Sequence, residues 1–327
     1  MRRVTPAFGL LPYAHIVGWA GVSGGTFRRV LERTINAVVP EPAAIAFSAM
    51  RRHKRRFGVY PNLVRPKTFN EKVLHRMVFD RRPILTTLQD KYAVRDYVRE
   101  RVGDHVLPRL YWVTKAPADI PFDSLPDRFV IKATHGCRFN YLVPDKACVD
   151  RRDVIAKCVS WLNCNYYYRD AREWAYKDIE PRIIAEEFIS DGSGPTPMNY
   201  RFFVFDGRVQ MVQVDADQRK DYYRRSWDRL DLTTGYEPIG GVPRPQHLDG
   251  LIECAETLSD GLDFLRVDLY DAGKVYFGEM AVYPVAGVKN LPEKWDRYFG
   301  DLWNLSSSHA GTRSMVVGSW SSFVRRS

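Results

Sequence analysis

FLRVDLYDAGKVYFGEM, residues 264–280, alternates like a β-hairpin, yet each arm carries a carboxylate where a strand packed on a core needs none. Asp268 lies in the first apolar run and Glu279 in the second, with Arg266 two residues before the aspartate. Side chains two residues apart share a face of a strand. With Ala272-Gly273 as a two-residue loop, Asp271 pairs with Lys274, Asp268 with Phe277 and Arg266 with Glu279. That register sets Arg266, Asp268 and Glu279 on one face and Leu265, Val267, Leu269, Tyr276 and Met280 on the other. A three-residue loop separates the two acids, unless a bulge restores the parity. Two oxygen-donor acids on adjacent strands suit a hard cation such as Mg2+, which keeps waters and takes its remaining ligands from phosphates. Taken alone, the hairpin reads rather as a cross-strand Arg266–Glu279 salt bridge with Asp268 exposed, which ordinary sheets often make.

Three other stretches bear on that choice. In DRFVIKATHGCRFNYLV (127–143) a strand ends at Lys132 and a loop with His135 and Gly136 follows. A lysine there meets phosphates as a point charge while turn N–H groups bond the oxygens. PRIIAEEFIS (181–190) is a strand ending in Glu186-Glu187 before a turn at Asp191-Gly192; strand-end carboxylates can hold a ribose or an adenine amine. DKYAVRDYVRERVG (90–103) is a helix capped by Asp90 and stopped by Gly103, with Lys91 at its start. Each has a plain alternative: a solvated lysine, a wet carboxylate, a surface helix.

Around these motifs the chain alternates helices with hairpins. Helical stretches cover 27–57 with a Pro-containing break, 66–82 with a Thr68/Glu71 capping box, 152–169 and 248–262. Strands cover 106–114, 127–134, 181–190 and the hairpin NYRFFVFDG/RVQMVQVDADQR (199–219), which turns at Asp206-Gly207. The pattern predicts an α+β fold with antiparallel sheets. Residues 1–58 read as an N-terminal helical, basic segment, 59–305 as the main body and 306–327 as a poorly ordered Ser-rich tail.

The 327 residues carry 49 Lys+Arg against 39 Asp+Glu, a net charge of +10 that fits an anionic partner. RRHKRRF (51–57) is the densest basic run. Five cysteines without C-x-x-C spacing read as free thiols in a reducing compartment. No run is apolar for the roughly 18 residues that a membrane span needs. Residues 1–25 superficially resemble a signal peptide, but Pro12, His15 and several glycines favour a peripheral or packed segment.

In chain order the sequence offers Asp90-Lys91, Lys132, Glu186-Glu187 and then R-x-D…E. That order resembles the ATP-grasp superfamily. TFNEK, DKYAVRDYV, FVIKATHG, PRIIAEEFI, YRFFVFDG and RVDLY…VYFGEM resemble, more narrowly, the TupA-like ATP-grasp group, which is associated with cell-surface polysaccharide biosynthesis. The resemblance covers about residues 60–305. It implies two α+β subdomains gripping ATP: about 106–189 as a lid-bearing subdomain and 190–305 as a metal-binding one. Lys91 and Lys132 match the lysines on the ATP phosphates, and the His135-Gly136 loop matches the phosphate lid. Glu186 and Glu187, with the backbone of Phe188 and Ile189, match the hinge at adenine and ribose. Arg201 falls where relatives carry a basic residue facing substrate, Arg266 matches the arginine at the transferring charge, and Asp268 and Glu279 match the Mg2+ ligands. Two positions depart from the pattern: Ala281, where a side-chain oxygen is common, and Cys137-Arg138 in the lid.

The resemblance implies an ATP- and Mg2+-dependent carboxylate–amine ligase working through an acyl phosphate on a glycan or its precursor. Its expected setting is the cytoplasm, with peripheral contact at the inner membrane face through the basic N-terminal region and no nucleic acid. A kinase of a sugar or lipid-linked hydroxyl uses the same residues. A non-catalytic basic module on an anionic membrane or nucleic acid explains the charge alone and predicts steep salt dependence without any response to Mg-ATP. The aromatic run NYYYRDAREWAYKD (165–178) reads as packing under the lid, or else as a sugar-stacking surface.

Overall fold

The strand runs pair into two separate antiparallel sheets in a computed structural model that describes residues 39–305 apart from 170, 193, 195 and 217. The helical reading over 27–38, the signal-like stretch and the Ser-rich tail lie outside the described residues. Eight α-helices are described: α1 (Glu41–Phe57), α2 (Phe69–Phe79), α3 (Ile84–Gln89), α4 (Val94–Val102), α5 (Arg151–Leu162), α6 (Tyr166–Arg169), α7 (Leu248–Leu258) and α8 (Glu293–Leu302). The first sheet holds β1 (Leu110–Thr114), β2 (Phe129–Ala133), β3 (Asn140–Val143) and β4 (Ile183–Glu187), in the order β1-β4-β2-β3. The second holds β5 (Asn199–Phe205), β6 (Arg208–Ala216), β7 (Arg219–Tyr223), β8 (Phe264–Asp271) and β9 (Val275–Ala281), in the order β7-β6-β5-β8-β9. This is the α+β architecture that the alternation predicts.

Local chemistry sets the boundaries. Thr68 and Glu71 close a reciprocal capping box on α2. The Asp90 carboxylate accepts the N–H groups of Tyr92 (2.8 Å) and Ala93 (3.3 Å), so it caps a turn over 91–93 that leads into α4. Gly103, at φ +94°, ends that helix. The stretch read as one helix over 152–169 is two. α5 stops at Leu162, and the Asn165 side chain accepts the Tyr167 N–H at 3.0 Å to start α6, because an Asn carbonyl competes with the helical ladder. Asp206 and Gly207, at φ +46° and +72°, form the left-handed pair that a two-residue hairpin loop requires between β5 and β6.

Each sheet has its own apolar core. Phe129, Ile131, Val143 and Ile183 of the first pack with Val154 and Cys158 of α5. In the second, Phe202, Val204, Val267 and Leu269 lie on the face covered by α7, with Leu251, Ala255 and Leu258 fully buried. The opposite face carries an aromatic cluster at one end. There Phe69 of α2 meets the Phe203, Phe205 and Phe264 rings at 6.1, 6.1 and 5.2 Å, and Trp303, just after α8, lies 4.5 Å from Phe264. Ile45 and Ala49 of α1 are buried in this same core.

Beneath the aromatic end sits a buried ion cluster. Arg76 of α2 is fully buried; it donates to Asp263 (2.8 Å) and to the carbonyl of Phe264 (2.9 Å), with the Trp303 ring 4.3 Å away. Arg82 and the Trp303 indole N–H also donate to Asp263, each at 2.8 Å. Three donors on one carboxylate fix the start of β8, and with it the position of every residue farther along that strand.

Candidate nucleotide and metal site

The β8–β9 hairpin differs from the two-residue expectation. Its loop has three residues: Asp271 pairs with Val275, the Ala272 N–H donates to the Lys274 carbonyl at 3.1 Å, and Gly273 sits at φ +79°. Such a loop alone shifts the parity, but a bulge between Asp268 and Leu269 restores it. Leu269 opposes Phe277, Gly278 is the extra residue, and Asp268 opposes Glu279 directly. Arg266 therefore faces Ala281 rather than Glu279. Tyr276 faces Tyr270 instead of joining the apolar set, and its hydroxyl donates to Glu187 at 3.0 Å. The bulge falls there because residue 278 has no side chain. A Cβ at Gly278 would lie 2.8 Å from the Tyr270 ring and 2.9 Å from the Asp268 carbonyl oxygen. Gly278→Ala is expected to cost about 1–3 kcal/mol of stability, the usual penalty of overpacking, read as a lowered midpoint in chemical denaturation. An unchanged midpoint would show that the ladder tolerates a side chain there.

The carboxylates converge on one guanidinium. Arg266 donates through Nε to Asp268 Oδ1 (2.7 Å), and through Nη2 to Asp268 Oδ2 (2.8 Å) and Glu279 Oε1 (3.0 Å). Asp268 is fully buried rather than exposed, so a plain surface salt bridge does not describe this hairpin. Arg201 on β5, directly across from Asp268, sits 3.6 Å from Asp268 Oδ2 and 2.8 Å from Asp215 Oδ2. Burial pushes the Asp268 carboxyl above the usual carboxylate range, outweighing Arg266 and Arg201. Burial acts the same way on Glu279, but Arg266, Lys91 and Arg201 outweigh it and hold that carboxyl below the usual range. Two carboxylates sharing one nitrogen lie close enough to share a cation, and oxygens alone suit Mg2+. The residues therefore fit a two-carboxylate Mg2+ site whose remaining ligands are phosphate and water. Ala281 adds no side-chain oxygen to it.

Two lysines from outside the second sheet, Lys132 of β2 and Lys91 of the turn before α4, line a cavity with Glu279. Lys132 at the end of β2 pairs with Glu186 on the neighbouring β4, across a diagonal of the ladder. Burial lowers the Lys132 ammonium, but the charges of Glu186 and Tyr270 and the Glu186 hydrogen bond carry it above the ordinary lysine range. Lys91 is tied to the lid, its Nζ donating to the Gly136 carbonyl at 2.6 Å and its N–H to the Thr134 carbonyl at 3.2 Å. Burial lowers the Lys91 pKa against the pull of Glu279. Lys91, Lys132, Glu186 and Glu279 line one cavity together with Arg95, Gly278 and Tyr176.

The hinge and lid residues take distinct places. Glu187 accepts the Arg109 N–H (2.9 Å) and the Tyr276 hydroxyl, Phe188 lies under the Arg128 guanidinium at 4.4 Å, and Ile189 follows half-buried. The His135 ring turns away from the loop surface; its Nε2 lies 2.9 and 3.1 Å from the Trp161 and Cys164 carbonyls, while Nδ1 is buried without a partner. Gly136 is required because a Cβ would stand 2.6 Å from Phe139. Arg138 occupies φ +61°, a region that favours glycine. Of the aromatic run, Tyr166, Tyr167 and Tyr176 are buried, with Tyr166 packed against the Gly136–Phe139 loop.

A family model described as TupA-like ATP-grasp matches residues 71–304, most of the chain and every site residue above. The chain belongs to the TupA-like ATP-grasp family. No curated protein sequence matches it. Among solved structures it is similar to D-alanine–D-alanine ligase from Bacillus anthracis complexed with ATP, at TM-score 0.40 and 12% identity over 71% of this chain and 69% of that one. It is also similar to the ATP-grasp ligase PsnB complexed with a minimal precursor, at 0.36 and 13% over 70% and 62%. N5-carboxyaminoimidazole ribonucleotide synthetase in its ADP complex gives 0.37 and 13% over 69% and 51%. The chain thus spans less than two thirds of the PsnB chain complexed with the minimal precursor and of the synthetase.

Beside the acids, several polar residues share their face of the second sheet or pack against it without standing out in the hairpin alone. Tyr270 shares the face of Arg266 and Asp268, and simple alternation from Asp268 finds it. Gln213 and Asp215 alternate with Val212 and Val214 in RVQMVQVDA, so the period-2 pattern marks their face also. Lys289 carries no signal: it follows the short turn Pro284–Gly287, outside any strand or helix.

Proposed function

We propose that this ATP-grasp protein is an ATP- and Mg2+-dependent carboxylate–amine ligase that proceeds through an acyl phosphate. The convergence of Asp268 and Glu279 on Arg266, with Lys132 of the first sheet and Lys91 of the turn before α4 lining the same cavity as Glu279, carries the proposal. Asp268 and Glu279 would hold Mg2+, which neutralises phosphate charge when bound. Lys91 and Lys132 bind the phosphate oxygens, and the strand end Glu186–Ile189 takes the adenine and ribose. A carboxylate oxygen of the acceptor attacks the γ-phosphorus, the bond to the β,γ-bridging oxygen breaks and ADP leaves. An amine then attacks the acyl carbon, phosphate departs, and the nitrogen loses a proton to give an amide. Arg266 and Arg201 stabilise the charge that spreads over the transferred group.

The acceptor on a cell-surface polysaccharide or its precursor follows from the family resemblance. ATP dependence sets the reaction in the cytosol. The exposed Arg51, Lys54, Arg55 and Arg56 of α1 offer a contact with an anionic inner leaflet. Hydroxylamine separates the ligase from a kinase. With ATP, Mg2+ and a carboxylate acceptor the ligase yields a hydroxamate, read by its ferric complex. ADP release with a phosphorylated hydroxyl and no hydroxamate would assign a kinase.

A further inference from the structure

The polar row on the second sheet continues past the acids. From β9 to β7 the directly opposed residues are Glu279, Asp268, Arg201, Gln213 and Tyr222, with Asp215 opposite Lys220 one step along. At about 4.8 Å between strands, Gln213 stands roughly 10 Å from Asp268. That is too far to hold the same phosphate and near enough to hold another part of a molecule reacting there.

Lys289 closes this end of the row. It is 5% exposed, its Nζ donates to Gln213 Oε1, and it lies 5.3 and 5.6 Å from the Phe203 and Tyr222 rings. The backbone holds it there: the Lys289 N–H donates to Asn70 Oδ1 (2.8 Å), and Asn70 Nδ2 donates to the Lys289 carbonyl (2.9 Å). Val285 and Ala286, at φ +52° and +48°, adopt the strained left-handed backbone that delivers the chain to this clamp. Among the described residues no carboxylate lies within ion-pair distance of the Lys289 ammonium, and a buried ammonium without a counter-charge is costly. Lys220 is alike: its ammonium sits 3.5 Å over the Tyr236 ring, with no carboxylate of the described residues within ion-pair distance. The buried Arg201 Nε has no hydrogen-bond acceptor. Burial lowers the Lys289 pKa, and the nearby Lys220 and Arg201 charges lower it further. Four basic side chains (Arg201, Lys220, Arg266, Lys289) surround three carboxylates (Asp215, Asp268, Glu279), and two of those carboxylates are the Mg2+ ligands of the ligase reading.

Resting on that reading, we propose that Lys220, Gln213 and Lys289 form a subsite for a second anionic group on the acceptor. The acceptor then presents one carboxylate to the γ-phosphate and another anion, carboxylate or phosphoryl, to the two lysines. Lys289 is a specificity residue, and a bound anion supplies the counter-charge that the fold leaves out.

The test is calorimetric titration of the full chain, loaded with Mg2+ and a non-hydrolysable ATP analogue, with glutarate, 4-phosphonobutyrate and butyrate. At least one dianion is expected to bind about tenfold or more tighter than butyrate, the size of a lost charge-assisted hydrogen bond. The better dianion names the second group. Lys289→Met and Lys220→Met should each shrink that preference; if the buried Lys289→Met variant does not fold, the half-exposed Lys220→Met carries the test. Equal binding of all three probes, no binding, or a preference that survives both substitutions overturns the subsite. Loss of the subsite alone leaves the Asp268-dependent ATP turnover standing, whereas failure of the ligase reading removes that dependence.

Discussion

Asp268→Asn is expected to lower Mg2+-dependent ATP turnover by about a thousandfold or more while the protein stays folded. Asparagine keeps the shape and one oxygen acceptor, so Arg266 retains a partner at residue 268 and a second at Glu279, 3.0 Å away. What disappears is the negative charge that draws a divalent cation to this point of the sheet. A cation bridging phosphates and a preorganised field of charges supply most of the barrier reduction in phosphoryl transfer, and removing a single stabilising group from such a field costs about 100- to 1,000-fold. Losing a direct metal ligand belongs at or beyond the upper end of that range. The melting temperature should change by only a few degrees, since burial already weighs against the Asp268 charge. ADP release measured across a Mg2+ titration checks the claim. Turnover like that of the unmodified chain would remove Asp268, and with it the hairpin, from the catalytic site.

The second large effect is on stability. Asp263→Ala should cost about 3–5 kcal/mol, the penalty of leaving a buried guanidinium uncompensated. Arg76 is fully buried, and its other carboxylate neighbour, Asp80, stands at 3.8 Å against 2.8 Å for Asp263. Arg82 and the Trp303 indole lose the same acceptor. For a body of this size such a loss corresponds to a melting point lower by about 10 °C.

The pH dependence has a definite sign. Burial raises the Asp263 carboxyl, but Arg76, the Trp303 hydrogen bond and Arg82 outweigh it and hold the group well below the usual carboxylate range. A depressed carboxylate stabilises the fold above its unfolded pKa near 4 and loses that contribution as pH falls through the folded value. The gap between wild type and Asp263→Ala should therefore be full at neutral pH and narrow only on acidification below about 4. A gap independent of pH would mean that Asp263 acts by packing rather than by charge.

Much of this was legible in the chain. Helices with side-chain caps, such as α2 with Thr68 and Glu71, follow from contacts three residues apart, so local chemistry placed them. The Asp206-Gly207 turn is equally local. Site residues spaced two apart on one strand, such as Arg266 and Asp268, shared a face by alternation alone. The hairpin register was not legible, because loop length and bulge trade against each other. A two-residue loop without a bulge and a three-residue loop with one both place the acids on the same face. Only the close approach of Tyr270 and the Asp268 carbonyl to Gly278 selects the second.

The sequence by itself determined the α+β class with antiparallel sheets and the set of charged residues on the strands, since these depend on periods of a few residues. Tertiary structure alone decided that Asp268 faces Glu279 across the ladder, that Lys132 is paired with Glu186, and that Lys289 arrives beside Gln213. Those positions depend on contacts between segments far apart in the chain, the Asn70 clamp on Lys289 among them. No local pattern of residues encodes which distant side chain will hold a loop in place.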